Sequence, residues 1–430
     1  MCSTRGFRPH TIGAVCLDLS FPPASASLCR TAADFIGIQD RYDKVGFPSA
    51  AKLWQFSLMT AIQLTQELVR INTINPPGDE HACARYLGKY LEDHGFSVAL
   101  HEFAENRTNV VARLEGSDDE LPLCFTGHID TVPLGAAPWS CDPFAGDMDG
   151  DKLFGRGTTD MKAGVAAFVV AAVQISSAKR PKAGLELVIT AGEETGCEGA
   201  AYLAKKANLL AKTGAIVVGE PTSNYPLVGH KGAYWLYLVS RGITAHGSMP
   251  DKGDNAVHKA ARAVGKLAEF SWKACRHPML GEPTLNVGTI QGGMNLNSVP
   301  DKAVIGIDIR TVPGQQHSQI REELTELLGD EIELEEIVAV EGIWSDPDGD
   351  WVQRVYGIAE NILGEKPEPR GATYFTDGPT LAKACGDPPT LIIGPGEAAM
   401  AHQTDEYCSV ERLEQAVEFY QRIAQDWCKV

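Results

Sequence analysis

The chain has 430 residues, 44% hydrophobic and 22% charged, the balance of a globular protein long enough for two domains. Its 56 acidic residues against 38 Lys and Arg leave a net charge of −18 with no basic run able to neutralise phosphates, which argues against nucleic acid and against a membrane surface as partners. Eleven cysteines, an odd number without any C-x-x-C spacing, argue against a disulfide framework and a Cys-ligated zinc, and point to a reducing, cytoplasmic setting.

Residues 1–58 show no clear period and no charged-then-apolar signal layout, so a poorly ordered extension is expected there. A transit segment is the alternative, because the first ten residues carry arginines and no acid. No stretch of about 18 apolar residues is found, so nothing is expected to span a membrane and a soluble protein is predicted. From Met59 helix and strand alternate: amphipathic runs "AIQLTQELVRINT" and "HACARYLGKYLEDHG", then strands "FSVALHEF", "NVVARLEG" and "LPLCFTGHID". After a Gly/Asp/Pro-rich stretch come a small-residue helix "KAGVAAFVVAAVQISS", a buried strand "LELVITAGEE", a helix through Tyr202 and a strand "AIVVGEP". This pattern predicts an α/β fold with a mixed, largely parallel sheet flanked by helices and a site at the carboxyl ends of its strands.

Residues 229–342 change pattern to strand, helix, strand, strand, helix, strand, a self-sufficient βαββαβ (ferredoxin-like) unit. A catalytic domain split into 59–228 and 343–430, with 229–342 inserted, accounts for both changes. The final helix is expected at "ERLEQAVEFYQRIAQDW".

Chemistry-bearing residues collect at the predicted strand ends: His128 and Asp130, Asp160, Glu193 and Glu194, Glu220, and His402. Acids converging on one buried edge repel and lose hydration, so they need cations among them, and two divalent metals would satisfy them. Imidazole and carboxylate without thiolate suits zinc first, with cobalt or manganese also possible. Cys124, Cys197 and Cys408 lie close to these motifs and are read as packing residues. Strand alternation puts His128 and Asp130 on one side, so that Asp130 accepts the second ring N–H of His128 and orients it. Glu193 and Glu194 point in different directions if they close a strand, so one can ligate while the other faces the attacking water; spacing leaves open which does which.

The ordered set "TGHIDTVP", "LFGRGTTDMKAG", "AGEETG", "GEPT", "AHGSMPDKGDNA", "DIRTVPG" and "GPG" followed by "AHQTDEY" resembles the M20 metallopeptidases, the aminoacylase, acetylornithine deacetylase and succinyl-diaminopimelate desuccinylase group, over Met59 to Trp427. The resemblance implies a dinuclear site: His128 and Glu220 on one ion, Glu194 and His402 on the other, Asp160 bridging, and Glu193 as general base. It implies that the Asp160–Met161 peptide is cis. It also makes His246 an oxyanion or substrate contact delivered across a homodimer of inserted domains, Asn297 and Arg310 holders of the substrate carboxylate, and Gly371 part of a substrate-lining loop. Two departures stand out: Gly192 where many members have aspartate, and "GATYFTDG" in place of a shorter loop. The function expected is hydrolysis of an N-acyl amino acid, with a dipeptidase or glutamate-releasing carboxypeptidase as the alternative and a catalytically silent metal-binding dimer module as a remote one.

Overall fold

The computed structural model describes residues 58–177, 180–272 and 276–430; the extension expected at 1–58 therefore lies, but for Leu58, outside the described residues. Helix α1 (Ala61–Arg70) opens on a capping box. Thr60 Oγ1 accepts from the Gln63 amide and the Gln63 side chain accepts from the Thr60 amide. Helix α2 (His81–Asp93) buries Cys83, Ala84, Leu87 and Leu91, one stripe at helical spacing. Strands β1 (Ser97–Ala104), β2 (Arg107–Leu114) and β3 (Leu123–His128) follow. A tight turn at Thr158–Lys162 then feeds α3 (Ala163–Ser176), β4 (Leu185–Thr190), α4 (Glu198–Lys205) and β5 (Ala215–Val218).

The chain next builds β6 (Gly232–Arg241), α5 (Ala256–Ala268), β7 (Thr284–Gly292), β8 (Lys302–Thr311), α6 (His317–Leu328) and β9 (Ile332–Val340). It ends with α7 (Asp350–Leu363), α8 (Gly378–Cys385), β10 (Thr390–Ile392) and α9 (Val410–Cys428).

The first sheet has the order β1-β2-β4-β3-β5-β10. β4, β3, β5 and β10 are parallel, while β1 and β2 run antiparallel at one edge. Every residue of β3, β4 and β5 is buried, as parallel strands covered on both faces require. One face packs against α3, α1, α2, α7 and α9 through residues such as Leu64, Leu87, Phe168, Val355 and Phe419. The other packs against α4 and α8 through Val188, Ile216, Leu203 and Leu381.

One expectation is corrected here. Thr158–Ser176 is long and apolar enough to cross a membrane by length and composition, but 89% of it is buried inside the protein. A helix that is apolar all round, enclosed by a sheet and four helices, is a core helix.

The second sheet is antiparallel throughout, with the order β7-β8-β6-β9. β8 alternates buried and partly exposed residues, and Ile305, Ile307, Leu236 and Leu238 pack with Ala260, Ile320 and Leu324 of α5 and α6. Gly229–His230 pairs antiparallel with Ile343–Trp344, so the chain leaves for this sheet and returns from it side by side. By contacts, residues 59–430 hold together as one unit.

Candidate metal centre and active-site cavity

Parallel strands deliver the site. His128 is the last residue of β3, Glu193 and Glu194 follow β4, and Glu220 lies two residues past β5. Contrary to expectation, Glu193 and Glu194 do not close a strand. β4 stops at Thr190, and Ala191–Glu194 form the turn into α4. Gly192 makes that turn at φ +75, where a Cβ would stand 2.6 Å from Arg107 Nη2. An aspartate, which the family resemblance would put here, would be strained, and glycine is not.

Asp160 lies in the turn before α3, and the Asp160–Met161 peptide is cis. Gly157 starts this turn at φ +84, with Thr131 Cγ2 only 2.5 Å from where its Cβ would be. The two oxygens of Asp160 face two different clusters. Oδ1 is 3.1 Å from His128 Nε2, which is 3.6 Å from Glu220 Oε1. Oδ2 is 3.3 Å from His402 Nε2, which is 3.2 Å from Glu194 Oε2. His402 comes from a loop after β10 in left-handed backbone, φ +63.

Donors bound at about 2.0–2.1 Å to one tetrahedral ion stand about 3.3 Å apart, so both clusters have the separations of a ligand set. Within each cluster the donor atoms lie within 4.8 Å of one another. Glu194 Oε1 is buried without a hydrogen-bond partner among the described residues, an orphaned acceptor whose lone pairs a cation would satisfy. The residues present therefore fit two metal ions.

Electrostatics point the same way. Burial, then the negative charge of Asp160, push Glu194 up to about 7 and Glu220 well above the usual carboxylate range. Burial likewise raises Glu193. Hydrogen bonds to Asp160 and Glu194 raise His402 to about 10. Burial opposes the charged form of His128, but hydrogen bonding to Asp130 and Asp160 outweighs it and holds its pKa well above the usual value. Acids so costly to ionise together need positive charge between them.

His128 Nδ1 is 3.0 Å from the backbone oxygen of Asp130 and 3.4 Å from its carboxylate, so the orienting hydrogen bond runs to the main chain. With that nitrogen donating, Nε2 presents its lone pair to the cluster. The Asp130 carboxylate has further partners: it accepts the amides of Glu193 (3.1 Å) and Glu194 (3.2 Å) and the Asn75 amide group (2.9 Å). It thus ties the histidine-bearing strand end to the glutamate turn.

Asp160, Glu193, Glu194, Glu220 and His402 line a cavity of about 490 Å³ together with Arg310, Trp235, Tyr374 and Phe375, while His128 and Asp130 lie behind that lining. Glu193 is buried on this wall, with Cys197 Sγ 4.0 Å from its Oε1. Cys124, Cys197 and Cys408 are buried free thiols. His246 and Asn297 are exposed and do not line the cavity: His246 Nδ1 meets Ser248 Oγ at 2.8 Å, and the Asn297 carbonyl accepts the Gly247 amide. Gly371 is not on the wall either. It pairs with Gly229, and a Cβ there would lie 2.4 Å from Leu280; its neighbours Tyr374 and Phe375 reach the cavity instead.

Sequence reasoning missed three supports. Glu406, fully buried, accepts the amides of Gly157, Thr159 and Asp160 and the Arg156 guanidinium. Asn75 braces Asp130, and Asp377 is buried against Thr190. Glu406 stands four residues past His402, inside a motif already singled out, but only its depth reveals that it is not a surface acid.

A doubly wound α/β core with paired His/carboxylate clusters at its strand ends defines a metallohydrolase architecture. The sequence profile of Peptidase family M20/M25/M40 matches residues 124–426, and the chain belongs to that family. It is a metal-dependent hydrolase acting on amide bonds. It is 30% identical over 387 residues to acetylornithine deacetylase of Proteus mirabilis, covering 86% of this chain and 97% of the relative. It is 32% identical over 339 residues to that of Photorhabdus laumondii, covering 75% and 84%. Its fold is similar to an M20 metallo-carboxypeptidase of Sulfolobus solfataricus (TM-score 0.71, 17% identity, 86% and 99% covered) and to a dinuclear metal-binding M20 peptidase of Bacillus subtilis (TM-score 0.63, 15% identity, 86% and 98% covered).

Proposed function

We propose that this protein removes the acyl group from an N-acyl amino acid. His128, Asp160 and Glu220 would hold one divalent ion and Asp160, Glu194 and His402 a second, zinc first, with cobalt or manganese also suited to the donor set. The observation that carries the reading is the sharing of Asp160 between both clusters beside the buried Glu193. When bound, the ions polarise the scissile carbonyl and bring the pKa of water towards about 7.

The chain's own residues do the rest. Glu193 takes a proton from the attacking water and returns it to the departing amine; burial raises its proton affinity, as that exchange needs. Asp130 keeps His128 and the Glu193–Glu194 turn in register. Arg310 offers its guanidinium to the substrate carboxylate. His246 and Asn297, exposed and away from the cavity, reach an active site in a homodimer joined through 229–342, where His246 supports the developing oxyanion. The exposed edge strand β7 and the exposed Met294 and Leu296 suit such an interface. On this reading the unit 229–342 closes over the rest during turnover. The seven described cysteines are all free, which favours a cytoplasmic setting.

Similarity to acetylornithine deacetylases over most of their length favours deacylation over peptide cleavage. The test is a panel of N-acyl amino acids and dipeptides offered to metal-reconstituted protein. We expect release of free amine from an N-acyl amino acid, abolished by chelation and restored by zinc or cobalt. Cleavage of dipeptides alone would remove the acyl preference, and no cleavage of either set would remove the function.

A further inference from the structure

Apart from the acid clusters, the cavity is lined by residues of different elements. Trp235 comes from β6, Arg310 from β8, and Tyr374 and Phe375 from the loop before α8. They form one packed unit. The Arg310 guanidinium carbon lies 5.6 Å from the Trp235 ring centre and 5.9 Å from that of Phe375, and the two rings meet edge to face at 5.9 Å. Asp308 fixes the arrangement: Arg310 Nε and Nη2 both donate to Oδ2, at 3.2 and 3.1 Å, and Trp235 Nε1 donates to Oδ1 at 2.8 Å. The Tyr374 hydroxyl donates to the Pro221 carbonyl at 2.8 Å, so its proton is already engaged by the main chain.

The charges on the lining are one-sided. Its four acids, Asp160, Glu193, Glu194 and Glu220, all belong to the metal clusters or stand beside them. The rest of the lining carries Arg310 and three aromatic rings and, among the described residues, no further carboxylate. A substrate whose side chain ends in an ammonium would bring a like charge to Arg310 and find no acid to pair with. A neutral apolar or aromatic side chain would instead lie against fixed ring faces.

Resting on the amide-hydrolase reading above, we infer that Trp235, Tyr374 and Phe375 form a subsite for the amino-acid side chain that selects N-acyl derivatives of neutral apolar or aromatic amino acids over cationic ones such as N-acetylornithine.

Two readouts test this. Calorimetric binding to the Glu193→Ala protein is compared for N-acetyl-L-phenylalanine, N-acetyl-L-methionine and N-acetyl-L-ornithine, and kcat/KM is measured for the same three with reconstituted wild type. The apolar pair should exceed N-acetylornithine by about tenfold or more in both. Phe375→Ala should weaken N-acetylphenylalanine about tenfold more than it weakens N-acetylornithine, and an equal loss for both would overturn the subsite. Equal or tighter binding of N-acetylornithine overturns the subsite even if all three are hydrolysed. Apolar preference in binding without any turnover leaves the subsite standing and removes the hydrolase reading.

Discussion

Glu406 Oε1 accepts the backbone amide of Asp160 at 3.1 Å, so the residue four past His402 holds in place the residue shared by both metal clusters. The same carboxylate takes the Thr159 amide at 2.8 Å, the Gly157 amide at 2.9 Å and the Arg156 guanidinium at 2.6 Å. Glu406→Gln puts an amide group where two backbone donors or a guanidinium need an acceptor. Metal affinity should fall about 10–100-fold, read by chelator competition. Glu406→Ala, which leaves Arg156 buried and unpaired, should cost about 3–5 kcal/mol by denaturant unfolding. Unaltered metal affinity in the glutamine variant would show that the clamp does not set the Asp160 position.

Glu193→Gln keeps the shape of the turn while removing the base. Turnover should fall by about 10²–10⁴ with metal content unchanged by elemental analysis. A rate within a few-fold of wild type would take Glu193 out of the proton-transfer role.

The metal-free protein should lose stability as pH rises. Glu194 is raised from 4.5 to about 7 and His402 from 6.5 to about 10, so in both cases the folded state binds the proton more tightly than the unfolded chain. The stabilisation is present in full below the unfolded values and is lost through pH 4.5–7 for Glu194 and 6.5–10 for His402. Asp160 is shifted the other way, but its contribution is already in place above its ordinary value of 3.8. Melting of chelated protein should therefore fall steadily between pH 5 and pH 10 (about one unit either way), and added zinc should raise it more at the upper end, since metal competes with those protons. A chelated protein with a flat profile would contradict the placement of these groups.

Gly192→Ala forces a side chain into left-handed backbone, at about 1–2 kcal/mol. Arg107 cannot swing clear because its Nε is held by Glu80 at 2.9 Å and its Nη1 by Glu198 at 3.2 Å. Thermal unfolding should shift down by several degrees and activity should drop with it, since Glu193 is the next residue. An unchanged melting curve would mean that the turn relaxes without cost.

Mixing two inactive proteins tests whether His246 acts across a dimer. His246→Ala and Glu193→Ala chains, denatured and refolded together, should regain about a quarter of wild-type activity, from one intact site in half of the dimers. If no activity returns although sedimentation shows mixed dimers, His246 does not act in trans.

The parallel strands were legible because β3, β4 and β5 are short, largely apolar runs that lead into the His128, Glu193 and Glu220 motifs. The strands of the second sheet were legible because period-2 runs such as "AVIGIDIRTV" alternate with amphipathic helices. The turn at Ala191–Glu194 was misread as strand, since a strand and the turn that ends it share one apolar run until Gly192 reverses the backbone. Glu406 and Asn75 were passed over because an isolated acid or amide has no periodicity to mark it as buried.

Sequence by itself determined the class of chemistry, because residue type and order specify which donors exist and which strands carry them. Tertiary structure alone decided how the two oxygens of Asp160 turn to separate clusters, that Asp130 and Glu406 brace them, and that Arg310, Trp235 and Phe375 pack together on the cavity lining. Those relations join positions up to about 250 residues apart through distances of a few ångströms, and distance of that kind is set only when the sheets and their connecting turns have packed.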